Sequence, residues 1–266
     1  MRGQVVAADL AWLYPLDGVQ EAQFRQQGFI RLPGVVSSAT ASLLAKRLSQ
    51  LVSFGGRRRR DGSYGRAFRY CMHAWTSDEK IREVTLSRRL AAIAARLLGV
   101  SEIRLSHDQA MFKDAGAEAT PIHADQYHIP LSSDVVTAWV ALQPIALDMG
   151  PLSFYAGSHR LEPSLRKKLA AMDQDGVENF FAQFEEDVAA YSPGDVSYHL
   201  GWTYHRAGAN SSSAVRAAFG IVYAPNGVVI IEPSDGQNVA LLSHWSPGAR
   251  IGHPLSSSRN PIVFRA

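Results

Sequence analysis

The chain has 266 residues, 46% of them hydrophobic, which is enough for a large buried core, and its formal charge of +3 is too mild to indicate nucleic-acid binding. Its single cysteine, Cys71, excludes an intrachain disulfide and any multi-cysteine metal site, and favours a reducing, cytoplasmic setting. No stretch approaches the roughly 20 apolar residues that span a bilayer, so we expect no membrane association.

The first hundred residues show mainly helical patterns. Apolar spacing and capping residues predict helices over residues 17–28, 39–51 and 88–98, with a short strand over 29–32 between the first two. A glycine- and arginine-rich segment, Gly55 to Gly65, interrupts this pattern and is predicted to be a loop.

The pattern changes to strands after residue 102. Short runs rich in β-branched and aromatic residues predict strands over residues 103–113, 121–125, 135–142, 152–155, 196–200 and 215–223. A helical insert is predicted over about 163–186, and the tail from Pro225 is predicted to be irregular. Helices followed by short strands predict an α+β fold with a sandwich or barrel core.

Three side chains form a candidate metal site. His123 and Asp125 stand at positions i and i+2, which point to the same face of a strand. A distant histidine, His205, would complete two imidazoles and one carboxylate, the set that non-heme Fe(II) oxygenases use with open coordination positions. Arg216, a short strand later, is placed to bind the far carboxylate of a chelating cosubstrate. His199 is an alternative ligand on these grounds alone.

A series of motifs in order carries a family resemblance. It consists of His123-x-Asp125, Trp139-Val140-Ala141-Leu142, Gly150-Pro151-Leu152, Ala156-Gly157-Ser158-His159 and Gly194-Asp195-Val196-x-Tyr198-His199, followed by His205, Asn210 and Arg216. Over about residues 108–223 the chain resembles the phytanoyl-CoA dioxygenase family. The resemblance implies a double-stranded β-helix, a jelly-roll core of the cupin-like kind, and an oxygenase that depends on Fe(II), 2-oxoglutarate and O2.

The resemblance also implies roles for particular residues. His123, Asp125 and His205 would be the metal ligands and the catalytic centre, and Arg216 would bind the C5 carboxylate of 2-oxoglutarate. Lys113 matches a lysine that lies near the cosubstrate in some members. Because Asn210 and Arg216 fall at the expected offsets from His205, the resemblance favours His205 over His199 as the distal ligand.

Further pocket residues follow from position along the predicted strands. Thr137 and Trp139 point to one face of the strand after the His-x-Asp motif and are predicted to line the cosubstrate pocket. Gln109, Tyr127 and His128 are candidate substrate contacts, and at most one of Tyr127 and His128 points inward because neighbouring residues alternate faces.

Two positions, Ala207 and Asp125, bear on cosubstrate binding and on the type of reaction. Some members have a serine two residues past the distal histidine that helps to hold the cosubstrate, whereas this chain has Ala207; the Thr137 hydroxyl is a possible substitute. Halogenating relatives replace the carboxylate ligand with a small residue, so Asp125 favours hydroxylation or a related oxidation.

The expected protein is a single domain over residues 1–266, with a helical part to 100, a jelly-roll core over 101–224 and a C-terminal wrap over 225–266. It would hydroxylate an unactivated C–H bond of a lipid, amino acid or secondary metabolite, giving succinate and CO2. The basic run Arg57 to Arg60 is either a solvated loop or a lid that attracts an anionic or carrier-linked substrate. Monomer and homodimer both stay open.

Two other function classes stay open from the sequence. One is a cupin-like metalloenzyme that does not use 2-oxoglutarate. The other is a non-catalytic jelly-roll binding module that kept its ligand residues by descent. Arg216 and the order of the motifs argue against the first class, and the intact set of His123, Asp125, His205 and Arg216 argues against the second.

Overall fold

The computed structural model describes residues 10–55, 68–233 and 242–266. The predicted lid residues Arg57 to Arg60 lie outside this part of the chain. Among the described residues, no helix is both long enough and apolar enough to cross a lipid bilayer. The cytoplasmic setting and the single-domain organisation stay predictions.

The helices begin and end at the signals that the sequence carries. They are α1 (Gly18–Gln27), α2 (Ser38–Gly55), α3 (Glu79–Thr85), α4 (Arg88–Leu98), α5 (Pro163–Ala170) and α6 (Gln174–Phe181). Asp17 and Gln20 form a capping box at the start of α1. Gly99, at a φ of 67°, ends α4 in the left-handed conformation that glycine adopts without strain. The insert predicted over 163–186 therefore holds α5 and α6.

Within the described ranges, ten strands form two antiparallel sheets. They are β1 (Phe29–Leu32), β2 (Arg69–Met72), β3 (Glu102–Lys113), β4 (Val136–Ala141), β5 (Leu152–Tyr155), β6 (Glu186–Val188), β7 (Val196–Leu200), β8 (His205–Ala207), β9 (Arg216–Pro225) and β10 (Ile262–Arg265). The larger sheet has the order β1-β7-β4-β9-β3-β10, with β2 also paired to β3, and the smaller sheet has the order β6-β5-β8.

The larger sheet buries both of its faces. Its outer face packs against α2, α3 and α4 in a core that includes Leu90, Ile93, Val140 and Phe219. Its inner face turns toward the smaller sheet, where Trp139, Phe154 and Ala218 belong to a second core cluster. Because successive strand residues alternate between these faces, every other residue of β3, β4, β7 and β9 lines the space between the sheets.

A β-bulge at Ser106 sets which residues of β3 point inward. Leu105 pairs with Tyr223 and His107 with Val222, so one extra residue stands in β3 opposite the same step of β9. Leu105 belongs to the outer core. After the bulge, the inward positions of β3 are His107, Gln109, Met111 and Lys113.

Across the larger sheet these inward positions fall in rows. One cross-strand row runs through Phe29, His199, Thr137, Val222 and His107, on β1, β7, β4, β9 and β3. We call these five residues the inner row. Their side chains share the inner face of the sheet because directly paired residues point to the same side.

The structure corrects two sequence expectations about strands. Residues 121–125 are not a strand: His123 forms an isolated bridge with His205, and Asp125 begins a 3-10 turn, Asp125–Tyr127. Turn hydrogen bonds, such as that of the His128 N–H to the Asp125 carbonyl, replace strand pairing there. The tail was predicted to be irregular but contains β10, which pairs with the start of β3.

Candidate metal centre

Three side chains from two segments converge between the sheets. The ligand atoms of His123, Asp125 and His205 all lie within 4.8 Å of one another. Nε2 of His123 lies 3.8 Å from Oδ1 of Asp125, and Nε2 of His205 lies 3.6 Å from the same oxygen. The antiparallel bridge between His123 and His205 brings the two histidines together. Ala124 is extended, at φ −121° and ψ 132°, so His123 and Asp125 converge without a longer strand.

Backbone carbonyls orient both imidazoles. Nδ1 of His123 lies 2.9 Å from the Pro121 oxygen, and Nδ1 of His205 lies 2.9 Å from the Thr203 oxygen. A carbonyl can only accept, so Nδ1 carries the proton and the Nε2 lone pair faces Asp125. Two neutral imidazoles and a carboxylate oxygen fit a divalent iron ion with open coordination positions.

The electrostatics keep these donors in the state that a metal needs. Burial, and then the nearby His205, lowers the pKa of His123 to about 3. Burial lowers the pKa of His205 to about 4, although Asp125 opposes this shift. Burial on its own would raise the pKa of Asp125, but His205 and His199 outweigh it and hold that pKa well below its usual range. At neutral pH both imidazoles are therefore unprotonated and the carboxylate is ionised.

Two inner-row residues hold the second oxygen of Asp125. The Thr137 hydroxyl donates to Oδ2 over 2.8 Å, and Nε2 of His199 lies 3.2 Å from the same atom. Because Oδ2 is occupied in this way, Oδ1 is the oxygen that faces the two imidazoles. His199 thus contacts a ligand residue, and the structure places it outside the convergent set of three.

A buried arginine lies between aromatic rings on the same inner face. Arg216 is fully buried, and its guanidinium carbon lies 5.2 Å from the ring centre of Phe68 and 5.4 Å from that of Trp139. Trp139 stands two residues after Thr137 on β4, so this one strand face contacts both Arg216 and Asp125. Phe68 was missed by sequence reasoning, because it stands alone beside the predicted loop.

Lys113 pairs with Arg216 across β3 and β9 and is also fully buried. Its ammonium donates to the carbonyl oxygens of Glu118 at 2.6 Å and Gly208 at 2.5 Å. Burial, and then the charge of Arg216, lowers the pKa of Lys113 to about 7. These contacts tie β3 to the segment after β8.

The two threonine hydroxyls near Ala207 both have hydrogen-bond partners in the protein. The backbone N–H of Ala207 donates to the Thr120 hydroxyl oxygen over 2.8 Å. The Thr137 hydroxyl is taken up by Asp125. The substitute that the sequence suggested for the missing serine is therefore already engaged at the metal ligands.

The three candidate substrate contacts fall in different places. Gln109 lies on the inner face of β3, opposite Gly220. The Tyr127 hydroxyl lies 2.5 Å from the Tyr204 hydroxyl and donates to the Arg166 carbonyl, so this ring packs toward the α5–α6 insert. His128 is exposed. Of these three, only Gln109 lies on the inner face that carries Thr137 and Arg216.

A family model and several solved structures match this chain. The model of the phytanoyl-CoA dioxygenase family matches residues 24–218. The chain belongs to this family. No curated protein sequence matches it. The family that the motifs predicted is therefore confirmed.

The solved structures include two from nogalamycin biosynthesis. The non-heme alpha ketoglutarate dependent carbocyclase SnoK is 26% identical, with a TM-score of 0.81 over 93% of this chain and 96% of that one. The epimerase SnoN is 24% identical, with a TM-score of 0.79 over 93% and 98%. EctD from S. alaskensis, solved with 2-oxoglutarate and 5-hydroxyectoine, is 18% identical, with a TM-score of 0.68 over 84% and 81%.

These matches bear on two further expectations. The α+β double-stranded β-helix is confirmed, since the helices and two antiparallel sheets superpose on structures of that fold. The expected iron and 2-oxoglutarate agree with the family, with the groups bound in related structures and with the convergent triad.

Proposed function

We propose that this chain is an Fe(II)- and 2-oxoglutarate-dependent oxygenase that hydroxylates an unactivated C–H bond of a small molecule. The observation that carries the proposal is the convergence of His123, Asp125 and His205 within 4.8 Å. In this proposal the three side chains hold the iron and Arg216 binds the C5 carboxylate of 2-oxoglutarate. Iron with 2-oxoglutarate and O2 supplies oxidation of a C–H bond, with release of succinate and CO2.

The protein side chains orient and shield this chemistry. Thr137 and His199 keep one oxygen of Asp125 turned away from the metal position, so the carboxylate contributes a single ligand atom. Arg216 is preorganised between Phe68 and Trp139 in a site that excludes water, where a charge pair with a carboxylate gains strength. The Lys113 ammonium already donates to the carbonyl oxygens of Glu118 and Gly208. Its proposed role is therefore to hold these backbone segments in place around the pocket, rather than to bind 2-oxoglutarate.

A second outcome of the same chemistry has support. The related structures SnoK and SnoN are described as a carbocyclase and an epimerase. Ring closure or epimerisation by this chain is therefore the alternative to hydroxylation. Asp125 favours hydroxylation over halogenation and does not discriminate among these three. Product mass does: hydroxylation adds an oxygen atom, ring closure removes two hydrogens, and epimerisation leaves the mass unchanged.

The test is an anaerobic titration of the protein with Fe(II) and 2-oxoglutarate, followed by the visible charge-transfer band of the chelate. The wild-type chain is expected to develop the band, His205→Ala to lose it, and Arg216→Ala to need at least about tenfold more 2-oxoglutarate, as for loss of a bidentate ion pair. Arg104→Ala is the matched control, because that arginine lies on neighbouring β3 and binds Asn226 and Asn260 instead.

Two results would overturn the proposal. A folded, iron-loaded protein without the band would return the cupin-like and non-catalytic classes to consideration. An unchanged 2-oxoglutarate requirement in Arg216→Ala would move the cosubstrate carboxylate to another residue. Thermal unfolding of each variant separates both results from a failure to fold.

A further inference from the structure

His73 has an unusual backbone that its neighbours hold in place. Its φ is 55°, the one positive value among the described non-glycine residues. Its N–H donates to the Asp108 carbonyl over 3.1 Å, and the N–H groups of Ala74 and Trp75 donate to the Asp108 carboxylate. A strained conformation persists when surrounding bonds over-determine it, and such residues concentrate at functional sites.

Three buried ring nitrogens in the group around His73 have no hydrogen-bond partner among the described residues. The His73 side chain is 4% exposed and packs edge-on against the His244 ring at 4.9 Å between centres. Neither ring nitrogen of His73, nor Nε1 of buried Trp245, has a hydrogen-bond partner among the described residues. The His244 backbone lies close enough to the His73 ring to raise the pKa of His73 against the larger effect of burial. Buried polar groups are normally hydrogen-bonded, so these atoms point to a ligand.

His107 connects this group to the metal centre. It lies in the inner row, two strands from Thr137, which corresponds to about 10 Å at normal strand spacing. Its ring stacks on Trp245 at 4.6 Å and an angle of 6°. Asp125 lies close enough to act on its pKa. The cluster of His73, His107 and Trp245 thus stands beside the metal ligands on the same side of the larger sheet.

We propose that His73, His107 and Trp245 form a subsite that hydrogen-bonds the hydroxyl groups of an uncharged, ring-containing substrate. The inference rests on the proposed oxygenase function and names the substrate class for that same centre. The neutral His73 ring offers one donor and one acceptor, as a hydroxyl does, and the Trp245 indole adds a donor. In His107 only Nε2 is left for a ligand, because Nδ1 lies 3.1 Å from the Ser106 hydroxyl. The stacked imidazole and indole present flat faces that suit a ring.

The electrostatics of the cluster select against charged ligands. Burial lowers the pKa of His73 to about 3 and that of His107 to about 4, so both are neutral at physiological pH. Neutral rings supply no formal positive charge to pair with an anion. A cation would gain from Asp125 but would meet no acceptor with a formal charge in the cluster itself.

The test uses three probes of one shape: 2-naphthol, 2-naphthoate and 2-methylnaphthalene. Their dissociation constants are measured by calorimetry, without oxygen, on protein loaded with Fe(II) and 2-oxoglutarate and on metal-free protein. The wild-type chain is expected to bind 2-naphthol at least about tenfold more tightly than the other two, the discrimination that one or two buried hydrogen bonds give.

The His73 position offers a matched pair of variants. His73→Gly removes the imidazole and keeps a residue that adopts positive φ, so the fold should survive and the 2-naphthol preference should disappear. His73→Asn tolerates the same conformation and should restore part of the preference, because its amide can donate and accept. His253→Gly, an exposed histidine in the C-terminal segment, is the control that should leave the preference intact.

The outcomes separate the two proposals. The chelate band is recorded before any probe is added, so its absence counts against the oxygenase function alone, while metal-free binding still tests the subsite. Equal affinity for all three probes, tighter binding of 2-naphthoate, or no binding of 2-naphthol overturns the subsite. So does an unchanged preference in His73→Gly with normal thermal unfolding.

Discussion

The candidate metal ligands and the cluster of His73, His107 and Trp245 lie on one side of the larger sheet but differ in how their polar atoms are satisfied. At the ligands, both imidazole Nδ1 atoms and the outer oxygen of Asp125 have partners within the chain. In the cluster, ring nitrogens of His73 and Trp245 are buried without partners among the described residues. Protein bonds preorganise the first region for a small ion, whereas the second is left for a larger ligand.

The largest expected effect is on stability, and it comes from replacing Asp108, whose carboxylate binds the backbone next to His73. Asp108 is fully buried and accepts from two N–H groups and the Thr85 hydroxyl. Asp108→Ala would leave these donors unsatisfied and should lower the free energy of unfolding by about 2–4 kcal/mol. Asp108→Asn, which keeps one acceptor oxygen, should lose less. Urea unfolding measures both, and a loss below about 1 kcal/mol in Asp108→Ala would show that the turn at His73 stands without this anchor.

The next effect concerns the support of the metal ligand. Thr137→Val keeps the side-chain volume and removes the hydroxyl that donates to Asp125, so metal affinity should fall about 10- to 100-fold. Thr137→Ser keeps the hydroxyl and should stay within a few fold of the wild type. Competition with a coloured chelator measures the affinity. Equal affinities in all three proteins would mean that His199 alone is sufficient to orient the carboxylate.

The smallest effect is a pH dependence of stability. The folded pKa of His107 is about 4, below the roughly 6.5 of an unfolded histidine. The unfolded chain therefore binds a proton first on acidification, and the stability that His107 contributes above pH 6.5 is lost as the pH falls toward 4. His107→Phe, which retains a ring on Trp245, should show a shallower loss between pH 6.5 and about 4.5 in urea unfolding.

Other groups with shifted pKa values also titrate in this range, and among them Asp108 has an effect of the opposite sign. Burial raises the pKa of Asp108 to about 7, so its contribution to stability runs the opposite way and is lost as the pH rises through that value. Asp108 is present in both proteins, and the difference between wild type and His107→Phe removes it. Parallel pH curves for the two proteins would contradict a neutral buried His107.

The sequence predicted the residues of the candidate metal site in more detail than the contacts around them. Spacing and the family resemblance predicted His123, Asp125, His205 and Arg216, because metal and carboxylate binding favour these residue types, and their roles stay predictions. The positions of the first three in the structure agree with that choice. The strand proposed for residues 121–125 was wrong, because the i, i+2 argument requires only that Ala124 be extended and says nothing about pairing.

The surroundings depended on contacts between distant residues. Nothing local shows that Lys113 meets the carbonyls of Glu118 and Gly208, or that Phe68 packs against Arg216. Strand β8 has three residues, too few for alternation to be visible, and β10 follows a proline in a polar tail. His73 is neither glycine nor asparagine, so its positive φ carried no sequence signal.

The bulge at Ser106 has a consequence for how this pocket can evolve. Successive strand residues point to opposite faces of the sheet. The one added residue therefore reverses which face the odd-numbered and even-numbered residues of β3 point to. Regular pairing of Ser106 with Val222 would turn His107, Gln109, Met111 and Lys113 toward the helices and present Asp108, Ala110 and Phe112 to the pocket, whereas deleting Ser106 would leave the present faces unchanged. Loss of the bulge with Ser106 retained would thus exchange one whole wall of the site, a larger change than a point substitution elsewhere on that strand.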